Sequence, residues 1–162
     1  MNTNKSIVHL EVYGKYQNLP DYAIKERDAA VQDLIETGSF QPVNDDNGPY
    51  KIGVSIEDNR LIIRTNDKKG EELPMLILGL KPYKRIIQDY FLMIESYEKA
   101  RMTSTREKLE AIDMGRRGLH NEGAELLIHR LKDKIDMDFD TARRFFTLIC
   151  VLHKTNVMIA TG

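Results

Sequence analysis

The stretch LPMLILGLKPYKRIIQDYFLMIESY, residues 73–97, changes its hydrophobic period part-way along. Leu73 to Leu80 form an apolar run bounded by turn residues, which predicts a strand covered on both faces. Pro74 places the start of that run at an edge or a strand beginning, because proline cannot donate to a ladder. From Lys81 the spacing differs. Pro82 suits a first helical turn, and Tyr83, Ile86, Ile87, Tyr90, Phe91, Ile94 and Tyr97 recur at three- and four-residue intervals. Strand patterning gives way to helical patterning near residue 80.

Upstream, Val8, Leu10 and Val12 alternate with His9 and Glu11, the period of a half-buried strand over Ile7–Tyr13. Pro20 and Asp21 open a helix with Tyr22 or Ala23, then Ala30, Val31, Leu34 and Ile35 on its apolar side, stopped by Gly38. DDNGP at residues 45–49 is dense turn chemistry. Ile52, Val54 and Ile56 alternate, Asp58-Asn59 turns, and Leu61, Ile62 and Ile63 follow, which reads as a β-hairpin.

Downstream, Ser104-Thr105-Arg106-Glu107 predicts a capping box in which Ser104 and Glu107 satisfy each other's exposed amides. The last helix starts near Asp138–Asp140 and runs through TARRFFTLICVLH. Its second half is apolar nearly all round, so it belongs at the centre. The expected fold class is α+β, a small, mostly antiparallel sheet from the N-terminal half packed against a C-terminal helical group. A single domain is expected over residues 1–153, with 1–80 mainly strands plus one helix and 81–153 helical. Residues 154–162 read as a C-terminal extension.

Composition bounds the function. The chain has 162 residues, 24 Lys+Arg against 25 Asp+Glu, and a net charge of −1, which argues against general nucleic-acid binding. The balance conceals an asymmetry: residues 1–80 hold 9 basic and 13 acidic side chains, residues 81–162 hold 15 and 12. One cysteine cannot form an internal disulfide, so a reducing, cytoplasmic setting is expected. The start, MNTNKSIVHLEV, lacks a leader-like apolar run, and no stretch reaches the length of a membrane span.

One segment breaks its own pattern. Leu109, Ile112, Leu119, Leu126, Leu127 and Leu131 fall on one broad helical arc, with Arg116 and Gly123 near its middle and His120 toward one edge. A guanidinium on a core stripe must be paired. Gly115, Gly118 and Gly123 each cost about 1 kcal/mol of helix propensity, so the chain either breaks here or admits a close neighbour. Read as a site, Arg116 and Arg117 offer forked donors to a carboxylate or phosphate, Asp113 and Asn121 flank them, His120 moves protons and Glu122 assists. Read as structure, Arg116 pairs inside the protein and the glycines admit a neighbouring element. A phosphoryl-accepting His120 is a third reading, which its place near the apolar arc disfavours.

Other features carry less. Arg143 and Arg144 in the first turns of the last helix suggest an anion site, although Asp136, Asp138 and Asp140 are placed to offset them. DMDFD lacks the glycine and distant glutamate of a calcium loop. Cys150 lies among Leu148, Ile149, Val151 and Leu152 as a core residue would, and His153 suits a helix end. No metal site and no cofactor are expected from the spacing of His and Cys or from any glycine-rich phosphate motif.

Four stretches carry a resemblance: SFQPVNDDNGPYKIGVSIEDNRLIIR (39–64), LKPYKRIIQDYFLMIESYEKA (80–100), LEAIDMGRRGLHNEGAELL (109–127) and KIDMDFDTARRFFTLICVLH (134–153). Together they resemble a family of small uncharacterised alphaproteobacterial proteins, over roughly residues 5–153. The resemblance implies a cytoplasmic bacterial protein of about this size, and it brings no catalytic residue with it. The family's pattern matches here at Asp113, Arg116, Arg117, His120, Asn121, Glu122, Arg143 and Arg144.

These readings lead to an expectation of a non-catalytic binding or regulatory module with a small local site for an anion or a protein partner. A homo-oligomer is compatible with the opposite charge of the two halves. The alternative is a small enzyme acting on a phosphorylated or carboxylated metabolite, with Arg116 and Arg117 as the clamp and His120 as acid/base.

Overall fold

The computed structural model describes residues 4–14 and 19–161. Residues 1–3 of the start and Gly162 of the expected extension lie outside the described residues. The chain is α+β. It runs β1 (Ile7–Val12), α1 (Asp21–Thr37), β2 (Phe40–Pro42), β3 (Tyr50–Glu57), β4 (Arg60–Asn66) and β5 (Leu76–Gly79). A 3₁₀ turn (Lys81–Tyr83) then leads into α2 (Lys84–Ala100), α3 (Arg106–Leu131), β6 (Ile135–Met137) and α4 (Phe139–Thr161).

The main sheet has the order β1-β3-β4-β5. β3 and β4 are antiparallel and joined at Asp58-Asn59, whose φ values of 53° and 57° give the twisted two-residue turn that tight hairpins favour. β1 pairs with β3 in parallel, because the chain between them spends itself on α1 and β2, and parallel neighbours need such a crossover. β2 and β6 form a separate antiparallel pair. The sequence pattern left both of these strands unread, since three residues are too few to show a period.

Ile52, Val54, Ile56, Leu61, Ile63 and Leu78 line one face of the main sheet and meet the helices in one core. The centre of that core is α4, whose residues Phe145 to Leu152 are all buried. It packs between α3 and α1, as its all-round apolar character predicts.

Two local expectations need correction. β5 is an edge strand with one covered face: Leu78 points into the core and is buried, whereas Ile77 on the opposite face stands 40% exposed, as does Met75, just before the strand, at 47%. The cap of α3 is Thr105, one residue later than Ser104; its side chain accepts from the Lys108 amide at 3.2 Å. Among the described residues no helix is long and apolar enough to cross a membrane.

Candidate functional site

Helix α3 runs unbroken through Gly115, Gly118 and Gly123. The reason at Gly123 is close approach: a Cβ there would stand 2.4 Å from the Phe146 ring of α4. His120, one turn earlier, is 3% exposed and sits between aromatic rings, with centroids 5.0 Å from Tyr90 and 6.0 Å from Phe146. Its Nε2 is 2.8 Å from Thr147 Oγ1, and that hydroxyl donates to the Arg143 carbonyl at 3.2 Å. The Thr147 hydroxyl thus links the His120 ring to the backbone of α4. Burial, reinforced by the charges of Arg116, Arg143 and Arg144, pushes the imidazole pKa down to about 3. His120 is neutral at physiological pH.

Arg116 is three-quarters buried and fully engaged. Its Nε and Nη2 donate to Asp113 Oδ1 at 3.2 and 2.9 Å, and its Nη1 lies 3.6 Å from Glu26 Oε1 on α1. Tyr90 of α2 donates its hydroxyl to the other Glu26 oxygen at 3.3 Å. Burial opposes the Arg116 charge, but the hydrogen bonds to Asp113 and the field of Glu26 more than offset it, so its pKa is raised. The second Asp113 oxygen takes Arg117 at 2.9 Å. The result is a strut that ties α1, α2 and α3 together. Beside it lies a small cleft of about 190 Å³ whose wall includes Glu26, Glu98 and Asp113 against the single guanidinium of Arg116. That balance suits a cation better than an anion.

The remaining residues of the segment face elsewhere. Glu122 pairs with Arg85 of α2 on the surface, and Asn121 is exposed on the outer side of α3. Arg144 of α4 reaches Asp33 of α1 at 3.0 Å. Arg143 differs: its Nε is buried without a hydrogen-bond partner, and no carboxylate pairs with it among the described residues. Asp136 lies in β6, and Asp138 caps α4 by accepting the Thr141 amide at 2.8 Å. Of the eight residues singled out by pattern, the fold brings Asp113, Arg116 and Arg117 into direct contact, sets His120 in the field of Arg116, Arg143 and Arg144, and turns Asn121 and Glu122 to the surface.

Glu26, Tyr90 and Thr147 complete these arrangements, and nothing in their local sequence announces it. A second hollow is also without a local signal. This cleft, of about 450 Å³, lies between the turn after β2 (Pro42, Val43, Asn44, Asp45) and the approach to β5 (Leu73, Pro74, Met75, Leu76), with Asp133 and Lys134 at its side. The turn is braced, since Asp45 accepts from the Tyr50 hydroxyl at 2.6 Å and the Asn47 amide at 3.0 Å. Thr65 also lines the cleft, its buried hydroxyl without a partner. No side chains there form a nucleophile–base pair among the described residues.

The sequence matches an uncharacterised protein family, UPF0262, over residues 5–155. The chain belongs to that family. Similar UPF0262 proteins come from the alphaproteobacteria Brucella anthropi, Mesorhizobium japonicum and Allorhizobium ampelinum, at 52%, 54% and 52% identity. Each alignment covers 79% of this chain, and respectively 81%, 80% and 82% of the relative. No solved structure matches. The UPF0262 match takes in α3, the strut and both clefts.

Proposed function

We propose that the protein is a non-catalytic binding module that takes a protein partner along the open edge of β5. One juxtaposition carries this reading. An unpaired strand edge, with Met75, Ile77 and Val43 exposed around it, borders the 450 Å³ cleft. A strand edge offers main-chain donors and acceptors to an extended partner, and the apolar side chains supply the area that holds it. The catalytic alternative draws no support from the geometry: Arg116 and Arg117 are neutralised by Asp113 and Glu26, and His120 is buried and neutral. A cytoplasmic setting belongs to the same proposal and is supported by the lone, buried Cys150.

The test is a photo-crosslinking side chain placed at Ile77 in living cells, with the exposed Met102 position as control. Discrete protein adducts at 77 and none at 102 are the expected result. Equal labelling at both positions, or none at either, overturns the reading.

Arg143 favours a second reading, a small-anion site, because it alone of the four arginines lacks a carboxylate among the described residues. Inorganic phosphate and small carboxylates would then raise the melting temperature of the wild type and leave Arg143→Gln unmoved. Equal shifts in both proteins would remove it.

A further inference from the structure

The ladder register tells which groups of β5 face outward. Leu80 donates its amide to the Asn59 carbonyl at 3.0 Å, and Leu78 and Leu76 stand opposite Leu61 and Ile63. Bonded and non-bonded pairs alternate along an antiparallel ladder, so these three residues turn their amides and carbonyls toward β4. Ile77 and Gly79 turn theirs away. The Gly79 carbonyl is met on that side by Arg130 Nη1 at 3.1 Å, whereas the outward amide and carbonyl of Ile77 have no backbone partner among the described residues.

We propose that the occupant of this edge is a second copy of the same chain, joined β5 to β5 in antiparallel fashion about a two-fold axis at Ile77. The inference rests on the reading of β5 as the binding edge and names what binds there. A two-fold at Ile77 makes the two Ile77 residues a mutually bonded pair, each donating to the other's carbonyl. The same register sets Met75 of each copy opposite Gly79 of the other. No Cβ stands there, and the space one would fill is open to 4 Å. Exposed Ile77 then covers exposed Ile77, beside its cross-strand neighbour Ile62, which is already buried.

Charge fits the same register. Glu71 and Glu72 precede β5, and Lys81 follows it, with Arg130 beside its C-terminal end. An antiparallel pair lays the acidic end of each copy against the basic end of the other, whereas a parallel pair would stack like charges. The contact is isologous and closes on itself, giving a dimer and not a filament.

Sedimentation equilibrium of the full chain, with Ile77→Lys and Ile77→Cys, tests this. The wild type is expected at twice its 18.7 kDa monomer mass, and Ile77→Lys to weaken association at least about tenfold with an unchanged circular dichroism spectrum. Under mild oxidation Ile77→Cys should form a disulfide dimer much faster than Met102→Cys, since opposed Cα atoms about 5.5 Å apart suit that bond. A wild type that stays monomeric, an Ile77→Lys protein that still dimerises, or equal cross-linking at 77 and 102 overturns the proposal. Should the purified chain be monomeric while the cellular cross-link at 77 yields adducts other than twice the chain mass, the second copy falls and the binding edge stands.

Discussion

Phe146 occupies the space beside Gly123 that a side chain at that position would need. Its ring carbons come within 2.4–2.6 Å of where a Cβ would stand, and Phe146 itself is fully buried. The α3–α4 contact therefore depends on a glycine in the middle of a 26-residue helix. Gly123→Ala should gain about 1 kcal/mol of helix propensity and lose more to overpacking, for a net loss of about 1–2 kcal/mol. Gly118→Ala is the control, because nothing lies within 4 Å of its Cβ position. It should stabilise by about 0.5–1 kcal/mol. Urea denaturation of both variants checks the opposite signs.

His120 makes stability depend on pH. Its folded pKa, near 3, lies below the ordinary histidine value of 6.5, so between these the unfolded chain binds the extra proton. Stability from this group is fully present above about pH 6.5 and declines as pH falls, by about 1.4 kcal/mol per unit, until the folded histidine itself titrates. His153, also pushed down by burial, adds to the slope with the same sign. Urea melts at pH 5 and pH 7 should show a larger difference in the wild type than in His120→Gln. Equal differences would count against a neutral, buried imidazole.

Arg116→Ala should destabilise by about 1–3 kcal/mol, since it leaves Asp113 and Glu26 as neighbouring carboxylates without their shared cation. Arg116→Lys should recover little, because one ammonium cannot reproduce donation from Nε and Nη2 together with the reach to Glu26. A double-mutant cycle with Glu26→Gln would measure the part of the strut that crosses to α1. A coupling energy near zero would show that Asp113 alone holds the arginine.

Cys150 should resist thiol reagents in the folded protein. It is fully buried, and burial, with the charge of Glu26 adding to it, raises its pKa well above the usual range. Labelling by a disulfide reagent at pH 8 is expected to be slow and to accelerate in urea in step with unfolding. Rapid labelling in native buffer would show an opening of α4 that the packing does not provide.

The sequence by itself determined the features written in short periods. The change from strand to helix after Leu80, the hairpin at Asp58-Asn59 and the central position of α4 are all legible within a few residues, because burial of one face repeats at two or near three and a half. The need for a partner at Arg116 was legible too, since a charge on an apolar arc must be satisfied. Which group satisfies it was not. Asp113 is one helical turn away, but Glu26 comes from α1 and is brought close only when α1 and α3 both pack against α4. The tertiary structure also decided that β1 lies parallel to β3, that β2 meets β6, and that the apolar run at residues 73–80 forms an edge covered on one side. Hydrophobicity tells a strand that it must be covered, but the packing of the helices on the sheet decides which face receives the cover. In this chain the helices cover the face of Leu78 and leave Met75 and Ile77 outside, while the edge position leaves β5 unpaired on one side, and together these turn a strand that reads as core into the surface where a partner is proposed to bind.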